Sequence, residues 1–122
     1  MATITATLDR NASAGAIIVT WASMGNADTG TSFLVPSASN LTLQHSGTFG
    51  GATIVLQGSN DGTNWATLTQ TGGSNVAMSY TTAGVHCPVE MPVYVRPVTS
   101  GGTGTVVDAI LVCRSVYQKM GY

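Results

Sequence analysis

At 122 residues the chain has room for one domain around one hydrophobic core. Charged residues make up 7% of it, against about 25% in a typical soluble domain, and four basic against five acidic residues leave a net charge of −1. That balance excludes a protein that neutralises a run of nucleic-acid phosphates, or one held on an anionic membrane by a basic patch.

Residues 1–14 begin with Thr3 to Leu8, where Ile4, Ala6 and Leu8 share one face. Small residues interleaved with Thr leave this stretch little to bury, so it reads as an edge strand or as an arm reaching a neighbour. The first five residues carry no basic region and no continuous apolar core, so no signal peptide is expected. Ala16 to Trp21 is a buried strand, followed by a polar, Gly-punctuated loop over 22–31. Phe33-Leu34-Val35-Pro36 is a short strand stopped by proline, which places it at an edge. Leu41, Leu43 and His45 alternate against Thr42 and Gln44, and the chain then turns through Ser46 to Gly51.

Thr53 to Thr69 is the stretch around which the rest is organised. Ile54 and Leu56 alternate with Thr53, Val55 and Gln57, and Asp61-Gly62 supplies hairpin-turn chemistry. The returning arm, Trp65 to Thr69, sets Trp65, Thr67 and Thr69 opposite Ala66 and Leu68. Gln70 to Asn75 is a Gly-rich loop, Val76 to Tyr80 a short strand, and Val85 to Val89 a strand with Val85, Cys87 and Val89 on one face. Pro97 places Tyr94 to Thr99 at an edge or a bulge. Thr105 to Tyr117 is the longest strand; both of its faces are apolar, as for a central strand covered on each side. Short strands at roughly ten-residue spacing, with turn signals between them, predict an all-β sandwich or barrel.

The chemistry-bearing residues are few. His86 and Cys87 are neighbours on a strand and point to opposite faces, so they do not form a nucleophile pair. Asp9, Asp28, Asp61, Glu90 and Asp108 are scattered, without the pairing a glycosidase needs. Two His and two Cys at irregular spacing make no metal shell, and no cofactor is expected. Cys87 and Cys113 read as buried free thiols. Asn60-Asp61-Gly62 could present oxygen ligands to calcium, but an Asx-type turn explains the same residues without an ion. Trp21 and Trp65 read as core aromatics, one per sheet; a sugar-stacking platform built from Asn60, Asp61, Asn64 and Trp65 is the functional alternative for the second. No enzymatic activity follows from any of these groups.

Gln57 to Trp65 resembles the "SNDG…W" hairpin of discoidin-type carbohydrate- and lipid-binding jelly rolls. A longer likeness, through Thr20 to Met24, Asn26 to Gly30, Gly47 to Gly50, the same hairpin and Tyr94 to Pro97, is to small virion proteins of tailed bacteriophages, in particular capsid decoration or cement proteins, with a tail or neck component as the alternative. The resemblance implies a single antiparallel β-sandwich over residues 1–122, jelly-roll-like, made in the host cytoplasm and seated on the outer surface of the capsid shell. Its partners would be the major capsid protein and copies of itself, as a dimer or trimer. Contact residues on this reading are Ile4, Leu8, Met24, Asn26 and Asp28, with Tyr117, Met120 and Tyr122 in the tail at 117–122. A charge-poor exterior fits such a role, since buried interfaces are depleted in Lys, Glu and Asp.

Overall fold

The computed structural model describes residues 2–13, 16–36, 39–72 and 76–115. Every regular element in them is a strand, and the strands form two sheets packed face to face, an all-β sandwich as expected. The five-stranded sheet runs in the order β10 (Gly84–His86), β6 (Ser39–Thr48), β12 (Val106–Ser115), β3 (Ala16–Met24), β2 (Thr7–Ser13). The seven-stranded sheet runs β1 (Thr3–Ile4), β4 (Thr29–Gly30), β11 (Tyr94–Ser100), β7 (Thr53–Ser59), β8 (Ala66–Thr67). In it β5 (Phe33–Leu34) also pairs with β11, and β9 (Ser79–Tyr80) with β7. Pairing is antiparallel except between β1 and β4. The ribbon β6·β12 lies in one sheet and its continuation β7·β11 in the other, the folded-over winding of a jelly roll.

The core follows from period-two alternation on the long strands. Val107, Ala109, Leu111 and Cys113 of β12 point inward beside Val19 and Trp21 of β3 and Leu41, Leu43 and His45 of β6. Facing them are Ile54 and Leu56 of β7 and Val95 of β11. Trp21 is fully buried, and its indole N–H donates to the Thr31 carbonyl at 2.9 Å. The outward residues of β12 depart from expectation. Ile110 and Val112 are only half-buried and Val106 is exposed, because the second sheet covers one face of β12 and no other layer lies on the opposite face among the described residues.

Several local expectations are also revised. The strand Tyr94–Ser100 is central, not an edge, although Pro97 lies within it and is buried. On one flank its ladder passes from β5, opposite Tyr94 and Val95, to β4, opposite Val98. Pro97 sits in that interruption, where a residue lacking an N–H fits. In the returning arm of the Thr53–Thr69 hairpin, strand pairing is limited to Ala66 and Thr67, extended by the Leu68 amide donating to the Leu56 carbonyl at 2.9 Å, so the β6–β12–β3 layer organises the molecule at least as much as the hairpin does. Cys87 is exposed, with its Sγ 3.7 Å from Thr42 Oγ1, while Cys113 is buried; both are free. The inward positions of β10 are taken by Gly84 and His86, and that parity turns Val85 and Cys87 outward.

Within the chain, the described part of residues 1–14 is paired at sheet edges. Thr3 and Ile4 pair with Thr29 and Gly30, and Thr7 to Asp9 pair with β3. Asp108 is accounted for as well. Its Oδ1 accepts the Ser23 N–H at 2.8 Å, holding Ser23 at φ 56° where the β3–β12 register shifts. Replacing Leu111 by Ala is expected to remove about 2–5 kcal/mol of stability by opening a cavity. Val106→Ala, on the exposed side of the same strand, should stay within about 0.5 kcal/mol; denaturant titration of both variants measures the contrast.

Candidate functional site

The loop between β7 and β8 carries Asn60, Asp61, Asn64 and Trp65, but the side-chain oxygens of Asn60 and Asp61 and the Asn64 amide are engaged in hydrogen bonds within the protein. Asp61 Oδ1 accepts from Ser59 Oγ at 2.9 Å and from the Thr63 and Asn64 amides at 2.8 Å each. Its Oδ2 accepts from Asn64 Nδ2 at 2.8 Å. Gly62 lies at φ 77°, a backbone that favours glycine, and its N–H donates to Ser59 Oγ at 2.8 Å. Asn60 Oδ1 accepts the Val93 amide at 3.0 Å, tying the loop to the chain ahead of β11. The backbone amides of Asn64 and then Thr63 hold the Asp61 carboxyl far below its ordinary value. These bonds make it an Asx-type turn.

Trp65 is not a core residue. It lies half-buried on the outer side of the seven-stranded sheet, beneath the Arg96 guanidinium, whose Cζ is 4.1 Å from the ring centroid. Arg96 is aimed there by Gln57, whose Oε1 accepts its Nε–H at 2.9 Å. One indole face is therefore taken by a cation. A shallow cleft of about 370 Å³ opens beside the loop, lined in part by Asn60, Asn64, Glu90 and Met91. The Glu90 carboxylate is engaged by Thr69, through its amide at 2.9 Å and its hydroxyl at 2.6 Å, and the hydroxyl bond is the larger cause of its lowered pKa.

The residues predicted to touch partners divide by burial. Met24 is fully buried in the core, on the inward side of β3, and can meet no partner in the folded chain. Ile4 is half-buried against the core. Asn26 and Asp28 stitch loops together: Asn26 Oδ1 accepts the Thr105 amide, and the Asp28 carboxylate accepts the amides of Gly25 at 2.6 Å and Ala2 at 3.0 Å. Leu8 is open, 43% exposed on the edge strand β2. It borders an apolar groove of about 560 Å³ with Phe33, Leu34, Val35 and Pro36, and Arg10 at its rim. Tyr117, Met120 and Tyr122 lie outside the described residues.

Sequence reasoning misses one cluster. His45, Tyr80 and His86 are stacked with their planes within 13° of one another. Tyr80 lies 4.0 Å from His86 and 4.4 Å from His45, and the two imidazoles are 5.4 Å apart. The signal was parity: His45 continues the inward series Leu41, Leu43, and so had to be buried. Among the described residues no group of three or more His, Cys, Asp or Glu could hold a metal ion.

This sandwich is shared with the SPBc2 prophage-derived protein YomS. Its crystal structure matches with a TM-score of 0.61 over 80% of this chain and 94% of that one, at 15% identity. The likeness is one of fold. No family model and no curated protein matches the chain.

Because Asp61 is ionised in the turn at pH values where an unfolded Asp is protonated, its contribution is fully present above its ordinary value of 3.8 and is lost as the pH falls below that. Asp61→Ala should therefore lower the Tm at neutral pH, with the gap to the wild type narrowing in strong acid; thermal melts at pH 7 and pH 2 test this.

Proposed function

We propose that this chain is a structural protein of a tailed-phage particle, a decoration or cement module that sits on the outer capsid surface. It would bind the major capsid protein and further copies of itself, and it performs no catalysis. The observation that carries the reading is a sandwich fold in common with a prophage-derived protein over most of both chains. Two features support it. The carboxylates of Asp28, Asp61, Glu90 and Asp108 are engaged in holding loops and a bulge. The exterior is poor in charge and carries exposed Leu8, Leu34, Met91 and Val93, side chains of the kind that interfaces cover.

Purified protein should co-sediment with capsids assembled without it and raise the temperature at which they rupture; protein that stays in the supernatant rejects the proposal. Leu8→Asp combined with Leu34→Asp, both on exposed side chains, should leave the Tm nearly unchanged. Burial of a Leu contributes about 1.5–3 kcal/mol, so each change should weaken particle binding by roughly tenfold or more if the groove is the contact.

A second reading, carbohydrate binding, draws on the cleft beside Asn60 and Asn64. Trp65→Ala separates the two: the half-exposed ring can be removed from a folded protein, and loss of glycan binding with particle binding intact would favour the carbohydrate reading.

A further inference from the structure

We propose that the His45–Tyr80–His86 stack is a proton-operated latch, and that protonation of His45 in mildly acidic solution releases the segment Ser79–His86 from the edge of the sandwich. That segment crosses from one sheet to the other. At its start β9 pairs Tyr80 with Ile54 of β7; at its end β10 pairs Gly84 to His86 with His45 to Leu43 of β6. Between them Thr81, Thr82 and Ala83 are exposed, and Val85 faces outward at 57% exposure. Besides those two ladders, the side chains that anchor it are the three stacked rings. Their near-parallel planes and short separations set both imidazoles against the one phenol face. Gly84 makes room for this: a Cβ there would lie 2.8 Å from His86 Nε2 and 3.4 Å from His45 Cε1.

His45 is 1% exposed, and among the described residues neither ring nitrogen makes a hydrogen bond of regular geometry, the backbone of Thr82 interacting with the ring only weakly. The groups facing it offer no counter-charge. From β10 comes His86, a second base; from β9 comes Tyr80, whose hydroxyl is committed as donor to Gln70 Oε1 at 2.6 Å. The β12 residue paired with it is Ala109, and Phe49 meets its ring edge-on at 6.2 Å. Asp108 belongs to the other face of β12 and holds Ser23. A phenol face attracts a cation only weakly, against the larger cost of taking an imidazolium out of water.

Burial, then the neighbouring His86, push the His45 pKa below its ordinary 6.5, and the backbone of Thr82 opposes them. The opened segment, with His45 back in water, thus binds more protons than the closed one as the pH falls through 6.5. The closed state is at full strength above that pH and weakens below it, by up to about tenfold per pH unit for one histidine.

Amide hydrogen exchange on the intact protein at pH 7.5 and pH 5.5, corrected for intrinsic exchange chemistry, reads the opening directly. The opening constant of the Gly84–His86 amides should rise about tenfold on acidification, with the amides of β12 unchanged, and His45→Phe should abolish the rise. Equal protection at both pH values, an equal rise in β12, or a rise that persists in His45→Phe would each overturn the latch. Should that variant not fold, NMR titration of the wild-type His45 imidazole decides: a midpoint below 6.5 upholds the proposal, and one at or above it refutes it.

Discussion

The sandwich depends on one constraint: every second side chain of β12 must meet the opposite sheet. Val107, Ala109, Leu111 and Cys113 satisfy it, and because β12 lies between β6 and β3, its register carries the parity of both neighbours. A slip of one residue would turn Ala109 and Leu111 outward and bring Asp108 and Arg114 toward the core, at the cost of burying charge without partners. A bulge at Val107–Ala109 interrupts the β3–β12 ladder, and Asp108 fixes it by holding Ser23.

Fold class and the long strands were legible because period two is written plainly in β3, β6, β7 and β12. The short strands were not. β1, β4, β5, β8 and β9 each span two residues, too few for alternation to register; β4, β5, β8 and β9 exist because longer strands offer them a ladder, and β1 because β4 does. Pro97 misled for a different reason. Its edge preference is real, but the interruption that accommodates it is made by two segments more than sixty residues away in sequence. Residue order alone does not reveal that geometry.

The loop at Asn60–Trp65 was located correctly, and its turn chemistry was foreseen in Asp61-Gly62. What the sequence could not show is where Trp65 goes. An aromatic after a turn can point to either side of a sheet, and the choice here is set by Arg96 and Gln57 across β11 and β7. The same limit applied to His45 and His86: each was visible, yet their meeting needed the crossing of β9 and β10 between sheets. With so few charges, this protein holds its loops by amide and hydroxyl hydrogen bonds to Asn, Asp and Thr. Screening by salt should matter less to such a scaffold than to one held by surface ion pairs.

The opposite facing of the two thiols has a practical consequence. Cys113 is enclosed in the core and Cys87 lies open on the other side of the molecule's first sheet. Alkylation of the native protein would add one adduct, and alkylation of the denatured chain two. Mass spectrometry of the labelled protein would then count folded molecules in any mixture, with no probe engineered in.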